Sequence, residues 1–156
     1  MKSKNKIFLQ EASFSDVEFL WYLRNQPDVY KYSRQNKKVS WNEHVKWMVP
    51  IVLKLSTKRL FVVLSNGIPI GQIRFDYSSN NEAEISISII KEFRGQGVAG
   101  IAFAKALSEI KKENKVEAVI AIVHEKNIGS SKFFEKLGFR LNNKNKNWLK
   151  YILYLL

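Results

Sequence analysis

A glycine-bearing turn between an apolar run and a helical run constrains this fold more than any other stretch of the sequence. The turn, residues 94–99, reads Arg-Gly-Gln-Gly-Val-Ala, and it lies between the apolar run Ile85–Ile90 and a helical pattern from Gly100 to Asn114. A helix leaves its first N–H groups without partners and carries partial positive charge at that end. Glycine has no Cβ, so a ligand can approach the backbone closely. The stretch therefore predicts a strand–turn–helix unit that binds the phosphates of a small molecule.

The context of this turn argues against two other glycine motifs. The spacing Gly95-x-Gly97-x-x-Gly100 fits the dinucleotide-binding fingerprint, but that fold needs several strand–helix units after the fingerprint. Only 56 residues follow Gly100 (156 − 100), and they contain one further clear helix. No Gly-Lys-Ser/Thr follows the glycines, which excludes the P-loop of nucleoside triphosphatases.

The remaining pattern predicts a mixed α/β fold, with a mostly antiparallel sheet of about seven strands and helices on both faces. Strands are expected at residues 6–11, 60–64, 68–77, 82–90, 118–123, 139–141 and 148–155. Helices are expected at residues 16–25, 41–53 and 100–114, and from Asn127 to a stop at Gly138. Asn66-Gly67 predicts a β-hairpin, and Pro50 is expected to kink or shorten the second helix.

Three segments resemble the GCN5-related N-acetyltransferases, the GNAT family. Arg94-x-x-Gly97-x-Ala99 resembles the family's acetyl-CoA pyrophosphate loop, Arg/Gln-x-x-Gly-x-Gly/Ala. Residues 127–139 resemble its second motif, an Asn followed by a helix that ends in Phe-Tyr-Glu-Lys-x-Gly-Phe, and residues 82–90 resemble its central strand. The resemblance covers roughly residues 60–156. It implies the GNAT fold and an acetyl-CoA-dependent N-acetyltransferase, which moves acetyl to a primary amine by direct attack in a ternary complex.

The resemblance also implies where acetyl-CoA binds. The pyrophosphate would lie on the amides of the turn, and the pantetheine would pair with the central strand as an added strand does. A bulge typical of the family, near Ser88–Ile90, would aim a backbone N–H at the thioester oxygen. The residues expected to bind acetyl-CoA are Ile87, Ser88, Ile89, Ile90, Arg94, Gly95, Gln96, Gly97, Val98, Ala99, Asn127, Ser130 and Phe134.

Three residues are candidate acid–base groups. Glu84 lies ten residues before Arg94 (94 − 84), where the family often carries a glutamate that acts as a base through a water. The alternative is a charged residue on a solvated sheet face. His124, at the end of a strand, and His44 are the other candidates, because imidazole titrates near neutrality. For His124 the alternative is an exposed loop histidine.

Phe134 departs from the family pattern. Many members carry a tyrosine at this place as a general acid, and a phenylalanine has no acidic proton. The resemblance therefore does not supply a tyrosine acid here. Since a thiol has a pKa of about 8.5, the thiolate can leave without help, or water, Ser130 or Ser131 could substitute as the proton donor.

Segments in the first half of the chain resemble a narrower group, the N-acetyltransferases of pseudaminic and other nonulosonic acid pathways. These enzymes acetylate the 4-amino group of a UDP-linked 4-amino-4,6-dideoxy sugar. The segments are residues 23–29, the Trp-x-x-His-x-x-Trp of residues 41–47 and residues 71–76. Arginines would pair with the diphosphate and aromatic rings would stack on uracil or the sugar, although burial against the sheet is an open alternative for the tryptophans. The residues expected to bind this substrate are Arg24, Asn25, Trp41, His44, Trp47, Arg74 and Phe75.

The composition predicts a single globular domain over residues 1–156. Hydrophobic residues make up 46% of the chain, too many for a disordered protein. No apolar run approaches the ~20 residues of a membrane-spanning helix, and Gln10 and Glu11 interrupt the apolar run that a signal peptide needs. The absence of cysteine excludes disulfides, thiol catalysis and Cys-ligated zinc, and we expect no metal site. We expect a cytoplasmic protein with no membrane partner.

The net charge of +12 suits small anionic substrates, whose approach a basic surface steers. It could also indicate nucleic acid binding. However, the lysines are dispersed and no helix carries a basic stripe interleaved with aromatics, so we expect no nucleic acid partner. Two further alternatives stay open: a protein N-terminal or lysine acetyltransferase of the ribosomal-protein type, and an acyl-CoA-binding module without turnover. The exposed final strand could also pair between two copies in a homodimer.

Overall fold

A seven-stranded sheet with the order β1-β2-β3-β4-β5-β7-β6 forms the centre of the computed structural model, which describes residues 6–155. The strands are β1 (Ile7–Glu11), β2 (Lys58–Ser65), β3 (Ile68–Tyr77), β4 (Glu82–Ile89), β5 (Ala118–His124), β6 (Arg140–Asn145) and β7 (Trp148–Tyr154). The helices are α1 (Val17–Arg24), α2 (Pro27–Tyr30), α3 (Trp41–Val52), α4 (Val98–Lys111) and α5 (Ile128–Lys136), with 3-10 turns at Phe14–Asp16 and Lys91–Phe93. Among these described strands β4–β5 is the parallel pair and the other neighbours are antiparallel, as predicted.

The two faces of the sheet differ because successive side chains of a strand point to opposite faces. One face carries the main core, in which Ile73, Phe75 and Ile85 pack with α4 and α5. On the other face, α1 and α3 cover β2 through a separate cluster that includes Leu20 and Met48. Between that cluster and β5, the face carries two facing polar rows. They consist of Gln72, Arg74 and Asp76 on β3, opposite Ser88, Ser86 and Glu84 on β4.

Three local expectations need correction. α3 is not shortened at Pro50: it runs through this residue to Val52 and so tolerates the helical hydrogen bond that proline cannot donate. The final strand β7 lies between β5 and β6, so both its edges are paired and it cannot pair with a second copy. The edge strand β6 is exposed at all six residues and carries Arg140 and Lys144, a composition that discourages edge pairing. No helix within the described part of the chain is both long enough and apolar enough to cross a membrane.

The bulge expected near Ser88–Ile90 is on the neighbouring strand instead. β4 keeps a regular register with β3 from Ala83 to Ile89. The irregularity lies between β2 and β3, where Ile70 is the extra residue between the partners of Val63 and Leu64. A bulge bends its strand locally, so the bend beside the end of β4 belongs to β3.

Gly71 permits a close approach of β3 and β4 next to this bulge. A Cβ at Gly71 would lie 2.4 Å from the Ser88 carbonyl oxygen and 2.6 Å from Ile89 Cδ1. The first contact is with backbone, which cannot move without disturbing the ladder between the two strands. Glycine at position 71 therefore helps to set the spacing between β3 and β4, the two strands that carry the polar rows.

We expect the Gly71→Ala substitution to lower the free energy of unfolding by about 1–3 kcal/mol, because the added methyl overpacks the strand interface. Urea titration followed by circular dichroism measures the change. The control is Gly129→Ala in α5, where an added Cβ meets no atom within 4 Å, and it is expected to be neutral or stabilising by up to about 1 kcal/mol. Equal effects at the two glycines would contradict the close approach at Gly71.

Candidate active site

A cavity of about 350 Å³ lies over the polar rows, where β4 and β5 separate. Its floor is formed by side chains of β3 and β4, and its walls by α1, the segment between α2 and α3, the end of β5 and the start of α5. The predicted site residues that line this cavity are Arg24, Trp47, Arg74, Glu84, Ile87, Ser88, His124, Asn127, Ser130 and Phe134. The structure thus brings together residues that were predicted from both halves of the chain.

Backbone groups of β4 face the gap beside β5. The two strands pair only from Glu82 to Glu84 within the described ladder. The Ile90 N–H donates to the Ile70 carbonyl of β3 at 2.8 Å, and backbone groups of alternate residues point to opposite sides of a strand. The backbones of Ile87 and Ile89 therefore face the gap, whereas those of Ser88 and Ile90 face β3. Of the four residues expected to pair with pantetheine, only Ile87 and Ile89 face the gap with their backbones, and Ile89 offers its N–H because its carbonyl accepts from Arg94 Nε.

The glycine turn leads into the N-terminus of α4, as the sequence indicated. Gly95 and Gly97 have φ of +73° and +78°, and a Cβ built at either position meets no atom within 4 Å. The Ile101 N–H donates to the Gly97 carbonyl at 3.2 Å, so the N–H groups of the first turn before it have no helical partners. Open space, exposed amides and the positive end of the helix dipole fit a bound phosphate group.

Arg94 has a structural part in this turn. Its Nε donates to the Ile89 carbonyl at 2.7 Å, and its Nη1 pairs with Asp28 at the start of α2. The guanidinium therefore holds the turn against the end of β4 and against α2. The side chain of Gln96 also bonds within the turn, to the Glu92 carbonyl at 3.1 Å.

Two guanidinium groups lie against one indole ring in the cavity wall. The Cζ atoms of Arg24 and Arg74 are 4.4 Å and 5.1 Å from the ring centroid of Trp47. Arg74 also pairs with Asp76 at 2.7 Å. Burial, and then the nearby charge of Arg74, lower the pKa of the Arg24 guanidinium. Each arginine has an attraction to the indole face, and an anion between them would relieve their mutual repulsion.

His44 is fully buried beneath this wall and holds Arg24 in place. Its Nε2 lies 2.8 Å from the Val17 carbonyl, and its Nδ1 lies 3.2 Å from Arg24 Nη1. A carbonyl only accepts and a guanidinium only donates, so the ring is neutral with its proton on Nε2. The expectation that His44 acts as an acceptor-site base is therefore wrong, because both ring nitrogens are engaged and none faces the cavity.

Three other residues that were predicted to contact the substrate do not line the cavity. Asn25 binds the backbone of Val39 on both sides, accepting from its N–H at 2.7 Å and donating to its carbonyl at 3.0 Å. Trp41 packs edge-on against Trp21 with ring centroids 5.3 Å apart. Phe75 is fully buried in the main core, on the opposite face of the sheet from Arg74. Asn25 fixes the segment that forms the wall, Phe75 is a core residue, and Trp41 lies outside the cavity lining with 43% of its surface exposed.

The two remaining acid–base candidates both line the cavity. Glu84 pairs with Arg34, a wall residue that the sequence did not single out, at 2.7 Å. His124 Nδ1 accepts from the Lys126 N–H at 3.1 Å, which leaves the proton of the neutral ring on Nε2. The ring also contacts Trp148, with centroids 5.1 Å apart. Glu84 can accept a proton, whereas neutral His124 in this tautomer can donate a hydrogen bond from Nε2.

Sequence reasoning also missed Gln72 on the cavity floor. It lies in the same row of β3 as Arg74, so the period of two in this strand was the signal that could have found it. No group of three or more His, Cys, Asp or Glu residues among residues 6–155 is placed to hold a metal ion.

We expect the stability of the fold to depend on pH through His44. Burial lowers the pKa of His44, so protonation favours the unfolded chain. The stabilisation is complete above about pH 6.5, the ordinary pKa of histidine, and is lost as the pH falls below that value. Denaturant titrations across this range should show a smaller pH dependence for His44→Gln than for the wild type. An equally steep loss in the variant would contradict a buried neutral imidazole.

Residues 6–140 match the family described as Acetyltransferase (GNAT) domain. An uncharacterized protein of Methanocaldococcus jannaschii is 26% identical over 144 residues, which cover 91% of this chain but 30% of that protein. The chain therefore spans less than a third of the length of this curated relative.

Two solved structures share the fold. The crystal structure of a domain from Methanocaldococcus jannaschii has a TM-score of 0.86 at 24% identity, covering 97% of this chain and 100% of that one. A RimL ribosomal L7/L12 alpha-N-protein acetyltransferase in complex with coenzyme A has a TM-score of 0.85 at 16% identity, covering 98% and 96%. The predicted fold is confirmed, and the match over residues 6–140 shows that the chain belongs to the GNAT family of acetyl-CoA-dependent N-acetyltransferases.

Proposed function

We propose that this acetyltransferase acts on an anionic amine, the 4-amino group of a UDP-linked 4-amino-4,6-dideoxy sugar. The charge of the cavity is the observation that carries the proposal. Among the described residues that line it, Arg24, Arg34, Lys37 and Arg74 are cationic, and Glu84 is the one carboxylate. Such a site favours a diphosphate and disfavours polyamines or basic peptides, whose charges it would repel.

The arrangement of the wall supports a nucleotide as the anionic part. Arg24 and Arg74 have planar groups suited to phosphate oxygens, which accept paired hydrogen bonds. Both guanidinium groups contact Trp47, whose side chain also lines the cavity. The resemblance to nonulosonic-acid acetyltransferases rests partly on these same residues, so the sequence and the geometry favour the same class of acceptor.

Acetyl-CoA would bind along the gap and the glycine turn. The amides of Gly95, Gln96, Gly97, Val98 and Ala99 would hold the pyrophosphate at the start of α4, and the backbones of Ile87 and Ile89 would hold the pantetheine. Asn127 accepts from the Ser130 N–H at 3.3 Å and so fixes the first turn of α5 at the cavity edge. Phe134, which is 5% exposed, contributes an apolar surface there.

Bound acetyl-CoA supplies the acetyl group as a reactive thioester. Glu84 would receive, through water, the proton that the acceptor amine gives up. His124, with its Nε2–H at the cavity edge, would donate a hydrogen bond to the leaving thiolate in place of the tyrosine that Phe134 replaces. The thiolate can leave without being protonated, because a thiol has a pKa of about 8.5. Holding both reactants in one cavity provides much of the rate, because it removes the entropic cost of their encounter.

Acetylation of a protein N-terminus is the second candidate, supported by the shared fold with the RimL ribosomal-protein acetyltransferase. Its acceptor would have to present a local negative charge to the four cationic side chains. For this second candidate function, the charge of the cavity therefore favours acidic peptides as acceptors.

We expect Gly97→Glu to abolish measurable acetyl-CoA binding in isothermal titration calorimetry, because it adds bulk and negative charge at the proposed pyrophosphate site. Gly67→Glu is the matched control. Gly67 has a similar φ of +80° and open surroundings, but it lies at the β2–β3 hairpin, so it carries the same backbone strain without the ligand. Unchanged affinity in Gly97→Glu would rule out the turn as the phosphate site.

Thiol release from acetyl-CoA tests the acceptor, with UDP-4-amino-4,6-dideoxy sugars, spermidine, and acidic and basic peptides as candidates. We expect release with a sugar nucleotide. Arg74→Gln should then raise the KM for that acceptor about 10- to 100-fold, the effect of losing a charge-assisted hydrogen bond, with little change in the KM for acetyl-CoA. The control Arg140→Gln removes an exposed cation of β6 outside the cavity. Release with spermidine or basic peptides alone would overturn the proposal.

A further inference from the structure

Gln72 has a buried carbonyl without a partner on the floor of the cavity. The residue is 7% exposed. Its Nε2 donates towards Ser86 Oγ at 3.2 Å and Ser88 Oγ at 3.4 Å. Within the described chain no group donates to its Oε1. A buried polar atom without a partner is costly, and such atoms in a binding cavity point to a ligand that completes the hydrogen bond.

Gln72 lies on the cavity floor, beside the part of β4 that has separated from β5. Gln72 is the ladder partner of Ser88, which lies between the two residues whose backbones face the gap, Ile87 and Ile89. Gln72 and Ser88 line the same cavity as His124.

The hydrogen-bond donors and acceptors that line the cavity determine which part of a ligand the Gln72 carbonyl can bind. Arg24, Arg34, Lys37 and Arg74 are all donors, so they take the acceptor oxygens of a ligand. The Gln72 carbonyl is an acceptor and requires an N–H or O–H. The donor that must reach the gap between β4 and β5 is the amine, because it has to meet the thioester there.

We propose that Gln72 Oε1 accepts a hydrogen bond from the acceptor amine and orients its lone pair for attack. This inference rests on the proposed function only in that the site takes an amine, whatever carries it. A neutral amide suits the task, because a carboxylate at the same place would stabilise the unreactive ammonium form. Glu84 lies four residues before Ser88, about 13 Å along the strand, so Gln72 only orients the amine, and a chain of several waters has to carry its proton to Glu84.

The test compares Gln72→Met, which keeps the length of the side chain and removes the carbonyl, with Gln10→Met at an exposed position of β1. The substrate is whichever amine of the panel the wild type acetylates with the highest kcat/KM. If the wild type does not acetylate a sugar nucleotide, the proposed function fails. The variants can still be compared with the wild type on the amine that it does acetylate. Thermal unfolding and the KM for acetyl-CoA confirm that the fold and the donor site are retained.

We expect Gln72→Met to lower kcat about 10- to 100-fold, as for a lost orienting contact at the reacting atom, while the KM for the amine stays nearly constant. Gln10→Met should match the wild type. A raised KM with unchanged kcat would place the contact on a remote part of the substrate and overturn the inference. Unchanged kinetics would also overturn it.

Gln72→Glu provides a readout that a purely structural role would not change. Its carboxylate should stabilise the protonated amine, so the pH at which kcat/KM reaches half its maximum should move upward by about one unit. An unmoved midpoint in a folded, active variant would show that residue 72 does not face the amine.

Discussion

The early end of the parallel pairing between β4 and β5 is the constraint on which the rest of the site depends. The strands pair only from Glu82 to Glu84 in the described ladder, after which the backbones of Ile87 and Ile89 face an open gap. Unpaired strand edges in an interior are unstable unless something pairs with them. The gap is therefore a place for an extended ligand, and it lies between the glycine turn at one end and the polar rows of β3 and β4 at the side.

The cavity wall that contains Arg24 and Trp47 depends on a buried histidine, His44, whose two ring nitrogens are both bonded within the protein. His44 connects the Val17 carbonyl to Arg24, and Arg24 in turn lies over Trp47. Charged side chains on a surface usually explore many rotamers, and fixing them costs conformational entropy. Because packing and His44 fix Arg24 in the folded protein, much of that entropy is already lost before any substrate binds. The same arrangement explains why His44 has a structural role, although histidine is a common catalytic residue.

Much of the fold could be predicted from the sequence, because strands, turns and helix ends follow local rules. Predicting which side chains reach the site was less successful, because that depends on which face of each strand or helix is covered by packing. Arg74 and Phe75 are neighbours, so in a strand they must face opposite sides, and only one could reach the cavity. The same rule places Gln72 with Arg74. Asn25 could not be assigned from sequence, because its partner, the backbone of Val39, is brought to it by the course of a loop.

The positive charge of the chain is not evenly compensated by carboxylates over the structure. Outside the cavity, carboxylates are paired with cations, as Glu11 and Glu113 are with Arg59 on the far side of the sheet. Within the described lining of the cavity, four cationic side chains face one carboxylate, and that carboxylate already pairs with Arg34. Arg74 is paired with Asp76, so Arg24 and Lys37 are the lining cations without an ion pair among residues 6–155, and a bound anion would offset their charge. Under the proposed function, selectivity for an anionic acceptor would follow from this charge before any specific contact is made.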